Sequence, residues 1–200
     1  MNEETQWQCL IAEPDGSIRL PVGEGTDLKA WSEETATRCL PESAPRREVR
    51  GLASVLARVA ESAEMTDPTF AYAYVVDPAK AVTAAYELHD YDGDGYRSVD
   101  LLPDLLRDVL PGSPDRQRIE QIVLPAGPAV RIQETRSVDT GGAFRKRTVL
   151  ETVTYAVLPP QVENILVLRM SWTNLVFGDA LLELAETLAR SLELAAVEEA

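Results

Sequence analysis

The chain has 200 residues, 45% of them apolar and 26% charged, an ordinary balance for a globular domain large enough to bury one sizeable core. Its 33 acidic side chains outnumber 19 basic ones, for a formal charge of −14, which argues against phosphate backbones and anionic membrane surfaces as partners. No run approaches the ~18 consecutive apolar residues of a spanning helix, and the opening MNEETQWQCL lacks a basic stretch followed by an apolar one, so the sequence reads as cytoplasmic.

The first structural signal is Asp15-Gly16, a turn dipeptide, followed by the alternating Ile18, Leu20 and Val22 of a short strand. Thr26 or Asp27 then caps a helix with Leu28 and Trp31 on one face, ended by Pro41. A longer helix starts at or just after Ser43, with an apolar stripe of Val49, Leu52, Val55, Leu56, Val59 and Ala63 at helical spacing. The period then changes to two. Residues 69–76 set Phe70, Tyr72, Tyr74 and Val76 against alanines, which predicts a strand with one bulky and one small face. The turn DPAK, residues 77–80, leads to a second alternating run, with Val82, Ala84, Tyr86 and Leu88 opposite Thr83, Ala85 and Glu87.

After the acidic stretch HDYDGDGYRSVDL, Ser98 or Asp100 caps a helix that buries Leu102, Leu105, Leu106 and Val109. The second half is a meander. Strands are expected over residues 118–124 and 129–138, then 146–158 after a DTGG hairpin turn at 139–142, and then 163–172 with Leu166, Leu168, Met170 and Trp172 on one face. Asp179 begins a closing helix striped by Leu181, Leu184, Leu188 and Leu192, and residues 195–200 are expected to fray. Strands joined by tight turns pair antiparallel, and amphipathic helices need an apolar surface to cover. The expected fold class is therefore α+β: one domain over residues 1–200, an antiparallel sheet of about six or seven strands, and helices packed on it.

This order of elements resembles the PsbP-like fold superfamily, mainly over residues 122–194. The likeness rests on consecutive antiparallel strands, the last strand NILVLRMSW, a short loop and a closing helix ending LARSLEL. That superfamily is shared by a Ran-GTPase-binding nuclear import factor, photosystem II subunits and many uncharacterised bacterial proteins. The resemblance implies a non-catalytic binding or assembly protein. It transfers no binding residue, because no functional motif of a member is legible in this sequence.

The acidic stretch invites comparison with an EF-hand loop. Counted from Asp90, positions 1, 3 and 5 are Asp90, Asp92 and Asp94, Gly95 is at 6, and Ser98 is at 9. Position 12 is Leu101, so the closing bidentate acid is missing, and the residues before Asp90 alternate like a strand, where an EF-hand needs a helix. Two readings remain open. The stretch is a polar strand-to-helix turn, with Gly93 and Gly95 at positive φ, or it is a weak Ca²⁺ site built on Asp90, Asp92 and Asp94. No other cofactor is expected.

Enzymatic chemistry has little support in the sequence. The single histidine, His89, sits at a predicted strand end, where a surface hydrogen-bonding role is the ordinary one, and no GxSxG elbow is present. Cys9 and Cys39 have apolar neighbours in Leu10 and Leu40 and are expected to be partly buried free thiols. The glycine bracket VGEGTDL before a helix carries Glu24 and Asp27, which repel a phosphate. The tryptophans are expected in the core, and Tyr72, Tyr74 and Tyr86 at a wet edge or interface. The expected function is a non-enzymatic module that presents a sheet face or its acidic loop to a protein partner. The alternatives are a small-ligand or Ca²⁺-binding domain using residues 90–95, and a hydrolase of unfamiliar type.

Overall fold

In the computed structural model, residues 7–23, 25–78, 82–96, 98–109, 116–139 and 147–196 are described. The chain runs β1 (Trp7–Leu10), β2 (Ser17–Arg19), α1 (Leu28–Cys39), α2 (Arg46–Thr66), β3 (Phe70–Tyr74), β4 (Ala84–Tyr91), a 3-10 turn (Val99–Leu101) and α3 (Leu102–Val109). It continues through β5 (Arg116–Leu124), β6 (Gly127–Asp139), β7 (Arg147–Val157), β8 (Ile165–Trp172), a second 3-10 turn (Leu175–Phe177), α4 (Gly178–Arg190) and β9 (Glu193–Ala196). Seven strands form one antiparallel sheet in the order β2-β3-β4-β8-β7-β6-β5, and β1 pairs with β9 in a separate ribbon. The fold is α+β, an antiparallel sheet with helices.

The period-two pattern decides what each sheet face receives. One face carries the bulky residues: Phe70, Tyr72, Tyr86, Leu88, Tyr155, Leu166, Leu168, Met170 and Trp172. Leu181, Ala185 and Leu188 of α4, with Leu192 just after the helix, close over it, and the whole forms the largest core. The opposite face divides between two smaller cores. Ala71 and Ala73 of β3 are short enough for α2 to lie directly on them through Leu52, Leu56, Ala60 and Ala63, and α1 joins through Ala36. At the far end, Leu102, Leu105 and Leu106 of α3 cover Val130, Ile132, Ala156, Ile165 and Val167.

The helix ends follow local chemistry. Asp27 caps α1 by accepting from the N–H groups of Lys29 and Ala30 at 3.1 and 3.0 Å. The last turn of α2 is closed by Asp67 in the left-handed region (φ 47°), one of the few non-glycine types that tolerate it.

Several expectations need correction. The closing helix α4 starts at Gly178, with Asp179 in its first turn and not at its cap. Ala195 and Ala196, expected to fray, pair with Gln8 and Trp7, while residues 197–200 lie outside the described residues. Gly95 has φ +88°, but Gly93 is required for a different reason. A Cβ there would stand 1.9 Å from the carbonyl oxygen of Glu163. The predicted hairpin turn at 139–142 lies, from residue 140 on, outside the described residues, as does the side chain of Val109. Helices lie on both faces, so no sheet face is presented whole to a partner.

Candidate functional site

The acidic stretch is a bend from β4 into the 3-10 turn before α3, preceded by a strand and not by a helix. Asp90 is the penultimate residue of β4 and accepts from Asn164 Nδ2 at 2.6 Å. Asp92 Oδ1 accepts the N–H of Asp94 at 3.0 Å, and Tyr96 N–H donates to the Gly93 carbonyl at 3.0 Å. Ser98, not Asp100, caps the turn that follows. Among the described residues, no three His, Cys, Asp or Glu side chains are grouped as a metal ion requires. Calorimetric titration with Ca²⁺ or Mg²⁺ is therefore expected to give at most a weak isotherm, removed by Asp92→Ala. Tight Ca²⁺ binding that survives Asp92→Ala would contradict this geometry.

His89 is not a surface residue. It is 5% exposed on the helix-covered side of β4, and its Nε2 lies 2.9 Å from Glu87 Oε2. A carboxylate only accepts, so the proton is on Nε2. Thr66 at the end of α2 donates to the same Glu87 oxygen at 2.9 Å, and the His89 ring stacks on Tyr91 with centroids 5.5 Å apart. Burial pushes the Glu87 carboxyl pKa up. Hydrogen bonds from His89 and Thr66 and the positive charge of Arg169 outweigh it and leave the group below its ordinary value. On the same face but across β8, where Arg169 lies between Glu87 and Thr154, Thr152 and Thr154 are 1% and 0% exposed, and their hydroxyls have no hydrogen-bond partner among the described residues. A cavity of about 200 Å³ between α2 and the sheet is lined by Arg58, Ser62, Glu87 and Ser171 among others. Glu87 thus spends its carboxylate on orienting neighbours and does not stand free to act as a base.

Of the tyrosines expected at a wet edge, Tyr72 and Tyr86 are core residues and Tyr74 is partly buried. Tyr72 and Tyr86 are 3% and 0% exposed and stack at 4.9 Å. Their hydroxyls are met by Glu13 and by Ser17 Oγ, the latter at 2.9 Å. Burial raises both phenols, Tyr86 to about 12. Trp172 is buried and donates its indole N–H to Glu151 at 2.8 Å, Trp31 is partly buried against α2, and Trp7 is exposed. Cys9 and Cys39 are free and partly buried, and burial pushes the Cys9 thiol up to about 11, away from nucleophilic use. The Asp27 carboxylate occupies the N-terminus of α1, where a phosphate would have to sit.

Two surface features were invisible in the sequence. Leu175, Val176 and Phe177 form a 3-10 turn between β8 and α4 and are 50, 88 and 41% exposed. The turn is capped at its start. Asn174 Oδ1 accepts the Val176 N–H at 3.2 Å, and Gly178 sits against Glu151 and Trp172. Val76, 58% exposed, follows β3 at the same end of the sheet, since Tyr74 pairs with Ala84 and Ala85 with Ser171. On the other side, an open groove of about 790 Å³ runs between α1 and α2. Ser32, Ala53 and Ala57 are too short to fill the valley between the helices, and Lys29, Arg46 and Arg50 also line it.

No family model matches the sequence, and no curated protein matches it. Among solved structures, LpqN of Mycobacterium tuberculosis, a protein involved in cell envelope biogenesis, is similar at 11% identity with a TM-score of 0.47, over 97% of this chain and 87% of LpqN. A likeness at that level assigns no role. Among the described residues no helix is long and apolar enough to cross a membrane.

Proposed function

We propose that the chain is a non-enzymatic binding or assembly module of PsbP-like type, working in the cytoplasm, and that it meets a protein partner through the apolar turn Leu175–Phe177. The observation that supports this is the exposure of three consecutive large apolar side chains on a capped turn. Single exposed apolar residues are commonplace, but a contiguous group held in place is the usual sign of a contact surface. Phe177 also belongs to the aromatic residue types enriched at interfaces. The engaged state of Glu87 and His89 and the raised Cys9 thiol favour binding over catalysis.

The test is capture from native lysate on immobilised wild type and on Leu175→Asp/Val176→Asp. Both side chains are at least half exposed, so the fold tolerates the change. Burying an apolar side chain contributes about 2 kcal/mol, so losing two weakens a partner by roughly a hundredfold or more. A stoichiometric partner retained by wild type and lost by the variant supports the reading. Retention of the same proteins by both refutes it.

A further inference from the structure

We propose that the outer edge of β5 is a self-pairing surface, joining two copies of the chain about a two-fold axis at Ile119 into one continuous antiparallel sheet. β5 pairs with β6 through all nine residues Arg116–Leu124, in unbroken register and without a bulge. Among the described residues nothing pairs with its other side. An edge of this length presents a row of unmatched N–H and C=O groups, and natural sheets guard such edges with proline, bulges or charge. Here there is no proline and no bulge, only charge, and the order of the charges makes the strand complementary to itself.

A two-fold axis perpendicular to the sheet pairs antiparallel residues whose positions are symmetric about its centre, and it keeps like faces together. Centred on Ile119, it sets Arg118 of each copy opposite Glu120 of the other, and Gln117 opposite Gln121. Ile119 meets its own copy. Moving the centre one residue either way places Arg118 opposite Arg118 or Glu120 opposite Glu120, so the charge pattern selects the Ile119 register.

Arg118 is 70% exposed and Glu120 31% exposed, and Ile119 is 42% exposed on the opposite face. Glu120 is held by Arg131 at 2.9 Å from inside the sheet and, in the single chain, also pairs with Arg118 of its own strand, so in the two-fold assembly Arg118 exchanges its own Glu120 for that of the other copy. The charges that repel a foreign strand of the wrong pattern thus attract a second copy of this one.

Sedimentation and light scattering of the full chain over a dilution series test the proposal. Wild type is expected at twice the 22.0 kDa of one chain at high concentration, dissociating on dilution. Arg118→Glu and Glu120→Arg are each expected to shift it to the single-chain mass, because each sets like charges opposite each other twice. Mixed in equal amounts, the two variants are expected to recover the doubled mass, since every carboxylate again faces a guanidinium across the axis. An effect confined to one chain cannot produce that recovery. Circular dichroism establishes that each variant is folded. If Glu120→Arg disturbs its own contact with Arg131, Ile119→Asp provides the same test on the other face and is expected to be monomeric. A wild type of single-chain mass at every concentration overturns the proposal. So does a doubled mass that survives Arg118→Glu and Ile119→Asp, or a mixture of folded charge variants that stays monomeric.

Discussion

Trp172→Ala is expected to lower the unfolding free energy by about 4 kcal/mol, the upper range for truncating a buried aromatic. Trp172 is 2% exposed at the end of β8 and belongs to the core that α4 closes over. Its removal deletes a large apolar volume that a sheet and a helix, both held by backbone hydrogen bonds, refill only in part. It also leaves Glu151 without the indole N–H that it accepts at 2.8 Å. The hydrogen bond and the volume separate in Trp172→Phe, which keeps most of the packing and should cost about 1 kcal/mol for the bond plus a smaller packing loss. Urea midpoints followed by far-ultraviolet circular dichroism measure both. A loss below about 1 kcal/mol for the alanine variant would mean that this end of the core is loosely packed.

Glu87→Ala is expected to cost about 3 kcal/mol, because it strands partners that were buried on the strength of one carboxylate. His89 loses its acceptor and Arg169 its countercharge on a helix-covered face, while the Thr66 hydroxyl falls back on the Ala63 carbonyl 3.1 Å away. Glu87→Gln should cost less, since an amide oxygen still accepts from Thr66 while the charge is gone. The wild type carries the same information in its pH dependence. The folded carboxyl sits below its ordinary value of 4.5, so the unfolded chain binds the proton first as pH falls. The contribution is complete above 4.5 and is lost as pH drops through the folded value. Acid should therefore weaken wild type more than Glu87→Gln over that window. Equal slopes would show that the cluster does not hold the carboxylate ionised.

The seven-stranded sheet and the helix stripes were legible because burial on one face imposes a period that composition alone preserves. Leu52, Leu56 and Ala63 on α2, and Leu181, Leu188 and Leu192 at the closing helix, are buried as their spacing requires. What was missed depends on partners far away in the chain. LELAA is built of good helix formers, yet Leu194 pairs with Cys9 and Ala196 with Trp7, and that long-range ladder overrides local preference. Tyr72 and Tyr86 were expected at a wet edge because nothing near them in sequence satisfies a phenol. Glu13 and Ser17 do so from the segment that leads into β2. His89 was placed at a strand end because Asp90 and Asp92 look like a loop, but β4 continues to Tyr91 and buries the ring. The exposure of Leu175–Phe177 and the position of β5 at the margin follow from the order of strands, which no local pattern encodes.

That order divides the sheet by time as well as by space. β2, β3 and β4 lie side by side in the sequence order in which a ribosome delivers them, and so, reversed, do β5 to β8. A single ladder, β4 with β8, joins the two groups, matching Ala85 with Ser171 and Tyr91 with Ile165. Contacts of such separation close late and slow the overall rate of folding. During translation the half made first must hold the inner edge of β4 open until β8, the last strand of the other half, has emerged. Over that interval β4 is the site at which a nascent chain is most vulnerable to mispairing, and the natural point for a chaperone to engage it.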